Sequence, residues 1–367
     1  MTRRVVILAD ESAHWKVAGL RQLERLALAV NDWAIRTQTH AQLFVLWSPA
    51  IAEEERFQPD EMRLRDVEIV TDAPLHAGSL LSTHLVPLRD FAPPLSESTA
   101  LDRSFDQLAT AVREMVNAER LDYLTNPAQI PAAEQRLLRE SGKLQDGLVS
   151  RFINRPFSRE ITRLLLKTPI TPSAWTLAIF FLQVAGALLL FRGDRASVIL
   201  GLGFFQFYSI LDGCDGEIAR AKYLSSPRGA QLDTWCDTVG HLLMVVSLGF
   251  GLGRQIPFYF YESFVVGGLI FTNELFLAAP TGRARSAVES ESALYPRHQK
   301  MMADSGLLAR GGRVLGWLVQ LTKRDVAVLF FLVLGILGWP AWILHLLGVV
   351  AAFSLLLGLK AIVFPVR

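Results

Sequence analysis

The pattern of apolar and polar positions changes character near residue 170. Before it, the short apolar stretches VVIL at 5–8, LFVLW at 43–47 and VEIV at 67–70 are separated by segments with helical spacing, such as GLRQLERLALAVNDWAI at 19–35. Short apolar runs between polar boundaries suit buried strands, and strands that alternate with helices suit a largely parallel sheet. A second helical pattern over 104–119 closes this α/β region. Beyond Pro172 the apolar runs lengthen to 174–191, 197–211, 238–252, 258–279, 326–337 and 341–365. Several fall short of the ~20 residues that a membrane span needs, so each must borrow flanking polar turns. The pattern therefore predicts a cytoplasmic α/β domain over 1–125, a linker with a juxtamembrane amphipathic helix over 126–172, and an all-α six-helix transmembrane domain over 173–367.

Composition agrees with this division. A hydrophobic share of 51% and a mean hydropathy of +0.30 are too apolar for an ordinary soluble enzyme. The formal charge of +2 is informative only through its distribution. Arg283, Arg285, Arg297, Lys300, Arg310, Arg313, Lys323 and Arg324 fall in one loop, whereas the opposite loops hold only Arg192, Arg195 and Arg254. By the positive-inside rule, that loop and both termini face the cytoplasm, in a multi-pass protein of the cytoplasmic (inner) membrane. MTRRVVILADESAHW has only a five-residue apolar run before Asp10, which is not the pattern of a signal peptide. Cys214 and Cys236 are the only cysteines and suit a reducing compartment. In DGLVSRFINRPFSREITRLLLKTPITP, residues 146–172, Arg151, Arg155, Arg159 and Arg163 recur every four residues opposite Ile153, Phe157, Ile161 and Leu164. Such a helix is expected to lie along the membrane with its arginines on anionic headgroups.

The chemistry concentrates at 212–237, DGCDGEIARAKYLSSPRGAQLDTWCD, at the edge of an apolar run. Carboxylates there are costly and mark function. Asp212 and Asp215 are three residues apart, and Asp233 and Asp237 four, so each pair projects from one helical face. Two such helices joined by the turn signal SSPRG bring four repelling carboxylates together. Divalent cations resolve the repulsion, and an all-oxygen site with room for phosphate suits Mg²⁺ or Mn²⁺. Gly216, Ala219 and Gly229 keep the surface shallow where a ligand approaches, and Arg220 adds a donor fork suited to phosphate.

Written as a pattern, the segment is DxxDGxxAR, eight intervening residues, then GxxxDxxxD. It resembles the signature of the CDP-alcohol phosphotransferases, with every signature position filled. The resemblance implies six helices around a cytoplasm-facing site with two metal ions, Mg²⁺ or Mn²⁺, that transfers a phospho-alcohol group from a CDP-alcohol to a second alcohol and releases CMP. It assigns Asp212, Asp215 and Asp233 as metal ligands and places Asp237 where it ligates or takes the acceptor's proton. Gly216, Ala219, Arg220 and Gly229 are assigned to the CDP-alcohol. Arg283, Arg285 and Arg324, near the same surface, are candidates for an acceptor phosphate, with membrane anchoring as an equal alternative. His241 and the two cysteines read as packing residues.

VVILADESAHWKVAGLRQLERLAL looks like the opening of sugar-phosphate nucleotidyltransferases, but Ala9, Asp10, Glu11, Ser12 and Ala13 fill the phosphate loop without glycine or arginine. Such a loop needs free backbone N–H groups and positive charge, so the domain reads as a degenerate relative. The pairing of the two halves resembles bifunctional inositol-phosphate cytidylyltransferase and di-myo-inositol-phosphate phosphate synthase proteins. The expected partners are accordingly a CDP-diacylglycerol or CDP-inositol donor, an acceptor alcohol such as inositol phosphate, membrane lipids and a second copy in a homodimer, with no nucleic acid. Phospholipid or inositol-phosphate-linked biosynthesis is the expected setting. The alternatives are a bifunctional enzyme whose first domain makes CDP-inositol, and a divalent-cation transporter. A transporter needs acids along several spans, and Glu274 is the obvious further one within a run.

Overall fold

The segment TRRVVILA ends in five buried residues, Val5 to Ala9, and forms strand β1 (Thr2–Ala9) of a parallel sheet. In the computed structural model, which describes residues 2–71, 76–88, 90–94, 99–100, 103–119, 122–142, 147–278 and 323–363, β1 lies between two parallel neighbours. Strand β2 (His40–Trp47) runs beside it from Thr2 opposite His40 to Ala9 opposite Trp47. Strand β3 (Val67–Ile69) pairs with β2, and β4 (Ser79–Ser82) pairs with the other edge of β1. The order β3-β2-β1-β4 confirms the parallel α/β reading of this half. The fourth strand, SLLS, has only two apolar residues, and its burial on both faces is what makes it a strand.

Helix α1 (Gln22–Thr37) lays Leu23, Leu26, Ala27, Val30 and Ala34 into the core with β1, Leu43 and Leu81. It ends at Gln38, which takes the left-handed conformation and donates to the carbonyls of Ala34 and Ile35. Helix α2 (Phe105–Glu119) adds Leu108, Val112 and Val116 to the same core, and α3 (Ile130–Glu140) follows. The strand order reverses between β1 and β4, the place where doubly wound sheets open a crevice. Here that place is occupied by the protein's own polar groups. Asp10 accepts from the amide and hydroxyl of Ser12 and pairs with His84 Nε2 at 2.8 Å, while the Ser12 and Thr83 hydroxyls lie 2.6 Å apart.

The chain divides into two compact units. The first comprises Met1–Gly142 together with Arg163–Pro169 and Arg220–Tyr223; the second comprises Lys143–Thr162, Ile170–Ala219 and Leu224–Arg367.

The later described residues are mainly helical: α4 (Arg155–Leu165), α5 (Pro172–Arg192), α6 (Arg195–Leu211), α7 (Gly213–Ala221), α8 (Pro227–Gly253), α9 (Phe258–Ala278), α10 (Arg324–Leu337) and α11 (Ala341–Val363). Thr171, Asp194 and Ser226 cap α5, α6 and α8 with side-chain oxygens, each bonded to the amide three residues on. Among the described residues, Pro172–Arg192, Arg195–Ala221 and Pro227–Gly253 are long and apolar enough to cross a membrane. Their outward surfaces carry Phe181, Leu188 and Leu200, while Leu190, Leu202, Phe205, Val245 and Leu248 form the core between them. Small residues bring these helices close. A Cβ on Gly201 would press on the Gly186 carbonyl at 2.8 Å, and one on Gly251 would overlap the Leu190 carbonyl.

The stretch 152–164, which includes α4, departs from the expectation at Arg155. Asn154, Arg155, Ser158 and Thr162 are buried, whereas Phe152, Phe157 and Leu164 are exposed. Arg155 therefore faces protein rather than headgroups, because a buried carboxylate, Glu217, binds it at 2.9 Å.

Candidate functional site

The aspartates are delivered by helix geometry. α6 runs into Asp212, whose amide still donates to the Tyr208 carbonyl at 2.8 Å, and α7 begins at the next residue. Asp212 and Asp215 thus sit one helical turn apart, and Asp233 and Asp237 one turn apart on α8. The start of α8 follows from its sequence: Ser226 caps it, Pro227 occupies the first turn where its missing N–H is harmless, and Gly229 donates to Ser226 Oγ at 3.0 Å. One carboxylate oxygen from each of Asp212, Asp215 and Asp233 lies within 4.8 Å of the other two. Ion-free carboxylates at such separations repel.

Neighbouring groups aim these side chains. Thr176 Oγ1 on α5 donates to Asp215 Oδ2 at 2.7 Å. The Tyr208 hydroxyl on α6 donates to Asp237 Oδ1 at 2.8 Å. Arg324, the first residue of α10, pairs with both Asp212 and Asp237. Asp233 Oδ1 is buried and has no hydrogen-bond partner among the described residues. It is a buried acceptor on a residue of the cluster, and carboxylate oxygens are the donors that Mg²⁺ or Mn²⁺ prefers.

The structure brings Asp212, Asp215, Asp233, Asp237 and Arg324 together. Gly216 donates its amide to Asp215 Oδ1, so it also shapes that carboxylate. Ala219 and Arg220 follow on α7, with Nε and Nη2 of Arg220 buried. Arg283 and Arg285 lie outside the described residues. Thr176 and Tyr208 were not singled out from the sequence. Their only signal is a hydroxyl inside an apolar run, which is common where nothing is bound. Arg155, Ser158, Thr162 and Glu217 form a further buried polar group behind α7.

Comparison with known proteins agrees with the motif. The sequence model of the family described as CDP-alcohol phosphatidyltransferase matches residues 169–354, just over half of the chain. A protein of Rubrobacter xylanophilus named "Bifunctional IPC transferase and DIPP synthase" is 37% identical over 191 residues, 52% of this chain and 43% of that protein. Proteins with the same name from Thermococcus kodakarensis and Aquifex aeolicus are 37% identical over 112 residues and 25% identical over 232 residues. These cover 30% and 63% of this chain, and 25% and 48% of the respective proteins. The chain thus spans less than half the length of each of these curated relatives.

Proposed function

Because the chain belongs to the CDP-alcohol phosphatidyltransferase family, we propose that it transfers a phospho-alcohol group from a CDP-alcohol to a second alcohol and releases CMP. The observation that carries this reading is the convergence of Asp212, Asp215 and Asp233 oxygens within 4.8 Å, beside Asp237 and Arg324. Two Mg²⁺ or Mn²⁺ ions, when bound, would clamp the donor diphosphate, offset charge on the departing CMP and acidify the acceptor hydroxyl. Asp212, Asp215 and Asp233 would hold the ions, with Thr176 fixing the direction of Asp215. Asp237, held by Tyr208, completes the ligand set or takes the acceptor's proton. Gly216, Ala219, Arg220 and Gly229 receive the CDP moiety. Arg324 offers its guanidinium to an acceptor phosphate, a role its planar fork suits.

In this reading α9, α10 and α11 join the three candidate spans to make six, with the aspartates at the cytoplasmic face of the inner membrane and two copies forming a homodimer. The relatives' printed names support an inositol-phosphate context; the acceptor in this reading is inositol phosphate and the donor CDP-inositol or CDP-diacylglycerol. The first unit contains a nucleotidyltransferase-like domain over roughly 1–125 that no longer transfers cytidylyl groups. Support comes from Asp10, which occupies the loop after β1 and is tied to Ser12 and His84. The word "bifunctional" in those names supports a second reading, in which this unit makes CDP-inositol.

CMP release by the purified protein, with Mg²⁺ or Mn²⁺, each donor and a panel of alcohols, tests the main reading. Release that depends on both cation and acceptor is expected. Absence of CMP from every donor, with cation flux in proteoliposomes, would establish a transporter instead. Pyrophosphate from CTP and inositol phosphate would establish the second reading.

A further inference from the structure

Glu217 is fully buried, two residues after Asp215, and both of its carboxylate oxygens are used. Oε1 accepts from Arg155 Nη1 and Ser158 Oγ, each at 2.9 Å, and Oε2 accepts from Thr162 Oγ1 at 2.7 Å. The three donors lie at positions i, i+3 and i+7 of α4, on one helical face. Arg155 Nη1 also reaches the Gly213 carbonyl at 3.4 Å, and Cys214 Sγ lies 3.5 Å from the Ser158 carbonyl. A Cβ on Gly213 would stand 3.0 Å from Arg155 Nη1, so the glycine permits this close approach. Gly213, Cys214 and Glu217 thus form the back of α7, docked on α4, while Asp212 and Asp215 project toward α8.

A hydrophobic seam would join two helices at lower cost than a desolvated ion pair. What a fully satisfied polar network supplies is one geometry, because each bond is directional and every slip leaves a buried charge unpaired. We infer that Glu217 is a positioning residue for the metal-binding aspartates: its bonds to Arg155, Ser158 and Thr162 fix the rotation and depth of α7, and so the direction in which Asp212 and Asp215 meet a cation. The exposed face of α4, with Phe157 60% and Leu164 65% exposed, is apolar enough to rest in lipid, which leaves the polar face to hold α7. This rests on the metal reading of the aspartate cluster given above.

Groups that orient metal ligands change metal affinity or activity by about 10–100-fold when removed. The test uses full-length protein in nanodiscs, with Mn²⁺ titrated and followed by electron paramagnetic resonance, alongside kcat and KM for CMP release. Glu217→Gln is expected to weaken Mn²⁺ by about 10–100-fold and to lower kcat, while KM for the donor holds. Thr162→Val, which removes one hydrogen bond and leaves the ion pair, should shift Mn²⁺ affinity in the same direction by less. If Glu217→Gln only lowers the folded yield, and the folded fraction binds Mn²⁺ as wild type does, Glu217 is merely structural and the inference is wrong. Should Glu217→Gln not fold at all, Thr162→Val decides: weaker Mn²⁺ supports the role and unchanged affinity overturns it. Wild-type protein that binds no Mn²⁺ would instead remove the metal reading itself.

Discussion

Asp233 keeps one carboxylate oxygen buried and without a hydrogen bond among the described residues. Leaving a buried polar group unmet costs about 1–3 kcal/mol, more when it is charged, so this atom is held in readiness for something that the protein alone does not supply. Asp212→Asn, Asp215→Asn or Asp233→Asn should each remove several kcal/mol of transition-state stabilisation, about a thousandfold in turnover. The same variants should lose Mn²⁺ in a binding titration while inserting normally. Asp237→Asn should spare donor binding more than turnover; near-normal activity in that variant would refute its role as ligand or base. The four aspartates were legible because spacings of three and four residues place side chains on one face whatever surrounds them. Arg155 was not, since a stripe of arginines looks the same whether it meets headgroups or a buried glutamate.

A different residue-scale prediction concerns Asp10 and His84. Burial pushes the Asp10 carboxyl up, but its hydrogen bonds to His84 and Ser12 and the His84 charge outweigh this and hold it at about 2, below its ordinary 3.8. Burial pushes His84 down, yet the Asp10 bond and charge prevail and raise it above 6.5. Both ring nitrogens face acceptors, Asp10 and the Leu124 carbonyl, which only the imidazolium can satisfy. The Asp10 contribution is complete above pH 3.8 and is lost as pH falls through about 2. The His84 contribution is complete below pH 6.5 and is lost as pH rises through its raised value. Unfolding midpoints of the first unit should therefore fall on the alkaline side in wild type. In His84→Gln they should be lower at pH 6.5 and flatter above it.

At the scale of elements, the membrane helices are held by what they lack. Gly186, Gly201 and Gly251 let backbones meet where a methyl group would overlap a carbonyl or a ring. Gly251→Val should separate α5 from α8 and cost about 1–3 kcal/mol, read as earlier unfolding in a detergent titration. The long helices were legible from hydropathy alone, since burial in lipid needs only length and apolarity. Strand β4 was not, because two leucines between serines carry no period. Helix α4 was legible as amphipathic, but its hydrophobic pattern cannot say which face points inward.

At the scale of the molecule, the alternation of short and long apolar runs was enough to separate an α/β half from a helical half. The finer partition was not legible, because segments distant in sequence complete the first unit: residues 163–169 and 220–223 belong with 1–142. Removing residues 1–125 should leave phosphotransfer chemistry intact, since all four aspartates lie in the remainder. It should also strip those two short segments of their partners and lower stability, which CMP release and thermal unfolding of the truncated protein would register. The full-length protein should fail to bind CTP in a calorimetric titration; measurable binding would revive the bifunctional reading.

The interleaving also sets an order on synthesis. The chain passes from one unit to the other after Gly142, Thr162, Pro169, Ala219 and Tyr223. Domains usually fold in turn as they leave the ribosome, the first before the second is made. Here the first unit cannot close until Tyr223 has emerged, by which time α5 and α6 must already have entered the translocation machinery. A ribosome stalled before residue 223 would therefore leave the first unit without its last segment.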